Sequence, residues 1–296
     1  MRRIAVTTLT LLAVLPTEPL LACATCLAGD PTITTMGTEK PFAGRKRLSI
    51  DYLSRSETVG QPNVNEHKID EERITYSFSY AFSDAWIAAA SLPLIDKEVE
   101  RYDLSHEKAS GPGDLDLSLR WFIGKDERFP ARQLWGTQFG VRLPTSTEEQ
   151  SQGEAIDFDA QPGAGATIPN LGLWFGYYRT PWFLYSSFQW QHALDDGYQG
   201  YQAGDALLLT GLVQYAPLHR LAVQFSLDGR WKAQDSYYDR TDDNSGGLLV
   251  MASPGVAWTP LDNLVVNLLY QHPAIERMHG RQDEDSTLRL GVTYDF

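Results

Sequence analysis

Cysteine is nearly absent: the 296 residues contain two, Cys23 and Cys26. Both lie at the extreme N-terminus, so disulfides do not staple the body of the chain. A long hydrophobic run is missing as well. The most apolar stretch, Ile4 to Leu15, falls short of the roughly 20 residues that a membrane-crossing helix requires, which excludes a polytopic helical membrane protein. Basic charge is in deficit, with 25 Lys and Arg against 38 Asp and Glu, a net charge of -13 and a pI near 4.9. A nucleic-acid binder needs a basic footprint to neutralise phosphate, so no nucleic-acid partner is expected. Catalytic signatures are missing too: no G-x-S-x-G, no Gly-rich phosphate loop, no H-E-x-x-H, and no C-x-x-C-H, since Leu27 follows Cys26. The mean hydropathy of -0.31 leaves a membrane β-barrel open, because its lipid-facing and lumen-facing residues alternate and cancel in any average.

What is present begins with a leader. Met1-Arg2-Arg3 is a basic start, and the apolar run before Pro16 has signal-peptide length. Ala22-Cys23-Ala24 fits a small-x-small cleavage site, while Leu20-Leu21-Ala22-Cys23 resembles a lipoprotein box. Glu18 and Pro19, so close to Cys23, favour cleavage after Ala24. The expected organisation is a signal peptide at 1–24, an irregular segment at 25–44 and a barrel at 45–296. At up to about 3.3 Å per residue the irregular segment can reach into a lumen, so a plug and a plain periplasmic tail are both open. Cys23 and Cys26 have metal-ligand spacing, but structural zinc wants four ligands and no second pair exists. Metal or redox handling there would need a partner, and no cofactor is expected.

Downstream of Arg45 the dominant pattern is strict apolar/polar alternation, the period of a half-buried strand. Leu288, Leu290, Val292, Tyr294 and Phe296 alternate with Thr287, Arg289, Gly291, Thr293 and Asp295. Ile74 to Phe82 and Leu115 to Trp121 repeat the dyad. Strands are expected at 46–56, 72–82, 85–95, 114–124, 133–144, 164–178, 182–192, 205–216, 220–234, 247–259, 263–272 and 286–296. Twelve is an even number, and the lengths cluster near the roughly 9 to 11 residues of a tilted membrane strand. Five short turns alternate with six long connections, as an up-and-down barrel inserted in one direction requires. The fold class expected is therefore all-β, a transmembrane antiparallel barrel.

Aromatic residues flank the short turns: Phe82, Trp86, Trp121, Trp135, Tyr178, Trp182, Tyr215, Trp258 and Phe296. This reads as an interfacial girdle. Pro93 and Pro254 fall inside strands, where each removes a ladder donor, so bulges or strand ends are expected there. The long connections hold such an excess of Asp and Glu that the remainder of the chain is net basic. A solvated outer rim explains this, and carboxylates sharing divalent cations with lipopolysaccharide phosphates is the alternative.

Strand parity sends a charged set inward, because a mid-bilayer Arg facing lipid costs roughly 2 to 4 kcal/mol. The expected lumen residues are Arg73, Asp116, Arg120, Gln138, Arg142, Gln189, Gln214, Gln224, Asp228, Arg230, Asn267 and Arg289. Arg47, Asp51, Arg55, Asp114, Lys232 and Asp295 share their parity. Two states fit: a wet lumen with a slightly basic wall, or charges paired into a closed interior. For catalysis, His192 with Ser186 and Trp190 is the nearest approach to a barrel-embedded lipid hydrolase. An enzyme is not the expected class.

Several short stretches point to a family. The Gly111-Pro112-Gly113-Asp114-Leu115 turn, the Arg142-Leu143-Pro144-Thr145 strand end and the terminal Tyr294-Asp295-Phe296 resemble the outer-membrane proteins of the meta-pathway phenol-degradation family. The resemblance spans most of 45–296. It implies an outer-membrane channel for aromatic or other small hydrophobic compounds, while the charged, Gln-rich lumen leaves the solute open. Phe296 resembles the C-terminal signal read by the barrel-assembly machinery. Expected partners are outer-membrane lipid and lipopolysaccharide, that machinery, and a small-molecule solute. The alternatives are a non-conducting barrel partnering a metal or electron-transfer system through the Cys segment, and an outer-membrane lipid-modifying enzyme.

Overall fold

The computed structural model describes residues 43–64, 66–125, 132–151, 153–156, 158–238 and 240–296. The expected leader, Cys23, Cys26 and nearly all of the 25–44 segment lie outside the described residues. Twelve long strands form the wall: β1 Lys46–Val59, β2 His67–Ser83, β3 Trp86–Arg101, β4 Leu115–Lys125, β5 Gln133–Leu143, β6 Ile168–Arg179, β7 Trp182–Gln191, β8 Ala206–Leu218, β9 Leu221–Lys232, β10 Gly247–Leu261, β11 Leu264–Met278 and β12 Thr287–Asp295. Each pairs antiparallel with its sequence neighbours, and β12 pairs with β1, with Leu48 opposite Tyr294 and Tyr52 opposite Leu290. The sheet is therefore closed, and closure leaves no edge strand unpaired.

Alternation decides which face is which. Phe78, Tyr80, Leu92, Phe139, Leu173, Phe188, Val223, Phe225, Leu268 and Leu290 are exposed on the outside. Their sequence neighbours Ser77, Ser79, Gln138, Trp174, Gln224 and Asn267 are buried inside, as is Thr293 between the exposed Val292 and Tyr294. An exposed apolar belt around a polar interior is the inverse of a water-soluble sandwich, and lipid is the solvent that suits it. Around the short turns the girdle is present, with Trp86 stacked on Trp121 at 5.2 Å and Trp182 against Tyr215 at 4.7 Å. Tyr178 departs from the expectation. It turns inward and stacks on Phe183 at 4.5 Å.

Both prolines sit at irregularities. Pro93 faces a break in the neighbouring strand, between a short strand at His106–Pro112 and β4, where Gly113 N–H donates to Pro93 O at 2.8 Å. Gly113 is required at this point, since a Cβ there would stand 2.9 Å from Ile95, Pro93 and the Pro162 carbonyl. At Pro254 the β10–β11 pairing lapses between Ala252 opposite His272 and Gly255 opposite Leu269 with the register unchanged, and the bulge of this ladder lies between Val250 and Met251 instead.

The long connections differ most from the expectation. The residues read as loops at 57–71, 96–113 and 273–285 are largely wall. β1, β2, β3 and β11 run several residues past their expected ends, His106–Pro112 pairs with β3, and Gln282–Glu284 pairs with β1. The barrel thus stands taller on that side than the membrane belt.

Candidate functional site in the barrel interior

At the short-turn end one side of the interior is apolar. Phe122, Leu134, Trp174, Phe183, Tyr185 and Leu212 form a buried cluster, with Ile87 and Tyr178 packed against it. Phe122 meets Trp174 edge to face at 4.7 Å. Inward-facing glycines Gly136, Gly172 and Gly176 on β5 and β6 leave the volume these rings fill; the Trp174 ring passes 3.2 Å from where a Cβ on Gly136 would sit. Sequence parity assigned apolar residues to lipid and so missed this cluster. Its only signal was that Phe122, Trp174, Phe183 and Tyr185 are apolar on the polar parity of their strands.

Next to the cluster lies a set of buried polar residues. Arg120 Nη2 donates to Gln138 Oε1 at 2.5 Å, and its guanidinium stands 5.6 Å from the Trp174 ring centre. Gln214, Gln224 and Asn267 are buried, and Gln214 and Gln224 are directly opposite across β8 and β9. Both polar atoms of the Gln224 amide, and the Asn267 Oδ1, lack a protein partner, which is the condition under which an interior holds water. Gln189 crosses the space left by Gly172.

Higher up, charges pair across strands. Arg142 reaches Asp116 with Nε–Oδ1 3.2 Å and Nη2–Oδ2 3.3 Å, and Arg289 reaches Asp51 at 3.2 Å. Asp228 instead accepts three hydroxyl hydrogen bonds, from Thr210 at 3.0 Å, Ser226 at 2.8 Å and Ser253 at 3.3 Å. Arg73 pairs with Glu71, which also meets Arg55 at 3.4 Å. Arg55 further contacts Glu57 at 2.8 Å and Glu284 at 3.5 Å. Burial, reinforced by the Glu57 charge, pushes the Glu284 carboxyl up to about 6.

Asp114, expected among the lumen wall residues, has a different task. It lies in the wall break and accepts Ser146 Oγ–H at 2.6 Å, Ser146 N–H at 3.1 Å, Ala164 N–H at 2.9 Å and Gly165 N–H at 3.2 Å. It thereby ties down both ends of the 144–167 connection. Buried Gln161 holds the same connection from within, accepting Glu149 N–H at 2.8 Å and donating back to Glu149 O at 3.1 Å. The connection folds inward, packing Ile156 and Ala160 on Ile69, Val99 and Ala109 of the raised wall. Two neighbouring connections lock onto it. Tyr198 Oη donates to Ser146 O at 2.5 Å, Phe158 stacks on Tyr201 at 3.9 Å, and Tyr201 lies 5.4 Å from Tyr237. Burial and the Asp235 carboxylate hold the Tyr201 phenol protonated well above its ordinary range.

Beneath these three rings is a cavity of about 250 Å³, bounded by Phe158, Tyr201 and Tyr237 on one side and by Arg55, Arg230 and Lys232 of the wall on another. Among the described residues no cluster of His, Cys, Asp and Glu is arranged to hold a metal ion. His192 Nδ1 contacts Asp205 Oδ1 at 2.6 Å. Ser186 lies on β7, six residues before His192, which follows the end of that strand; at strand rise this is about 20 Å, so the two do not form a hydrolytic pair.

Among proteins of known structure the barrel superposes on an outer-membrane channel from Pseudomonas putida F1, with a TM-score of 0.66 and 11% identity over 86% of this chain and 96% of that one. It also superposes on the translocator domain of the autotransporter NalP from Neisseria meningitidis, with a TM-score of 0.52 and 12% identity over 88% and 91%. The β domain of a Bordetella autotransporter gives a TM-score of 0.50 and 9% identity over 86% and 100%. No protein-family model and no curated protein matches the chain. At these identities the likeness concerns architecture: the chain has the fold of an outer-membrane β-barrel.

Proposed function

We propose that the chain is an outer-membrane channel for small solutes, exported by its N-terminal leader and inserted with its long connections facing outward. The observation that carries this reading is the inverted wall: large apolar side chains point outward, while Arg142–Asp116, Arg289–Asp51 and the Asp228 hydroxyl cage point inward. Charged groups of this kind suit a passage that admits water and polar groups of a solute. The residues Arg73, Asp116, Arg120, Gln138, Arg142, Gln189, Gln214, Gln224, Asp228, Arg230, Asn267 and Arg289 line that passage in this proposal.

The solute is small and carries a ring. Support comes from the aromatic cluster around Trp174 and Phe183, from the aromatic trio at the opposite end, and from the resemblance to the meta-pathway family. Phe296, exposed at the seam and stacked on Tyr294 at 5.9 Å, is accessible as the assembly signal. Lipid and lipopolysaccharide surround the belt and rim. Planar-bilayer recording on the purified, folded full chain tests the reading. Discrete conductance is the expected result, and its absence both in the full chain and after removal of 25–44 would overturn it.

A further inference from the structure

We propose that the 250 Å³ cavity below the three interlocked connections is a binding site for a one-ring aromatic carboxylate, with Arg230 as the anchor for the carboxylate. This deepens the channel reading and rests on it for its place in transport.

The carboxylates around the cavity are already committed. Glu57 is held by Arg55 at 2.8 Å, Asp159 by His67 at 3.1 Å and Asp235 by Lys232 at 2.7 Å. Asp242 accepts Asn244 N–H at 2.9 Å. Arg230 differs from all of these. It feels the charge of Glu284, but among the described residues it has no hydrogen bond or ion pair. Its cross-strand neighbours explain this: Arg230 stands between Leu208 on β8 and Leu249 on β10, whereas Arg47 faces Asp295 and Arg142 faces Asp116. A guanidinium flanked by two leucines and bordering a cavity is a fork of donors awaiting a planar anion, which a carboxylate satisfies bidentately.

The rest of the lining selects the body of the ligand. Phe158, Tyr201 and Tyr237 present aromatic surface, against which a ring packs by offset or edge-to-face contact. Size sets the limit. A cavity of about 150 Å³ accepts benzene, so this one takes a single ring with its carboxylate and a water, and excludes a long acyl chain.

The test is calorimetric titration of the detergent-solubilised full chain with benzoate and, separately, benzyl alcohol, beside uptake of labelled benzoate into proteoliposomes. Benzoate is expected to bind at least about ten-fold more tightly than benzyl alcohol. Arg230→Gln should abolish that preference, Arg230→Lys should retain part of it, and Tyr237→Ala should weaken both ligands. Heat-modifiable gel migration reports whether each variant is folded. Equal affinity for the two ligands, no binding of either, or an undiminished preference in Arg230→Gln overturns the site. Uptake without saturable binding leaves the channel standing and removes the site, whereas binding without uptake leaves the site and removes the channel.

Discussion

Asp295, the penultimate residue, accepts a hydrogen bond from Arg47 Nε at 2.7 Å across the seam where the last strand meets the first. Arg45 adds a second guanidinium at 2.8 Å, and Lys46 and Phe296 exchange backbone hydrogen bonds at 3.2 and 3.0 Å beside them. The first and last strands of the barrel are thus joined by charge as well as by ladder bonds.

Breaking one side of this contact should loosen closure. Asp295→Ala leaves two arginines facing each other with little water, a situation that costs about 3 to 5 kcal/mol when a buried pair loses one member. The urea midpoint of the refolded barrel in detergent should fall accordingly. A variant in which Arg45, Arg47 and Asp295 are all replaced by apolar residues should recover most of the loss, and equal instability of the two variants would show that the charges themselves are needed.

Arg142 and Asp116 are more exposed, each with a little over a third of its side chain accessible, so their pairing contributes little to stability, about 0 to 1 kcal/mol. Their weight lies in the field inside the barrel. Arg142→Gln should shift the reversal potential in a salt gradient toward cation preference, and Asp116→Asn should shift it the other way, with urea midpoints nearly unchanged. Identical reversal potentials in both variants would place this pair outside the conducting path.

Phe183 is fully buried between Tyr178 and Tyr185, with ring centres at 4.5 and 6.4 Å. Phe183→Ala should lower stability by about 3 to 5 kcal/mol, the usual cost of an aromatic truncation in a packed core. It should also widen the short-turn end. Larger single-channel conductance together with a lower urea midpoint is expected, and lower stability with unchanged conductance would make the cluster purely structural.

The barrel was legible because lipid imposes one rule along every strand within the membrane, apolar outward and polar inward, as at Leu288 to Phe296. The rule fails once a strand rises into water. There Lys68 and Asp70 face out while Ile69 packs inside with Val99, so the parity reverses and 67–71 reads as an acidic loop. It fails again at Trp174 and Phe183, where both faces are apolar. The pairs Arg142–Asp116 and Arg47–Asp295 follow from parity plus register. Arg230's isolation between leucines, and the inward fold of 144–167 on Asp114, depend on which strands and connections become neighbours, information that periodicity does not carry.

A pH response of the raised wall is expected through Glu284. Its carboxyl lies opposite Glu57 in the strand pair, close to Arg55 and within the field of Arg230, and its backbone N–H donates to Glu276 at 2.9 Å. Burial comes first and the Glu57 charge adds to it, so the folded value of about 6 exceeds the ordinary 4.5. A carboxyl raised on folding stabilises the fold below its unfolded value, and that contribution is lost as pH rises through the folded value. The window is therefore about pH 4.5 to 6, and the difference corresponds to about 2 kcal/mol at most. Amide exchange at 57–59 and 282–284, corrected for intrinsic rates, should be slower at pH 5 than at pH 7.5. Glu284→Gln should abolish the difference, and a pH response that survives this substitution assigns it to another group on the rim.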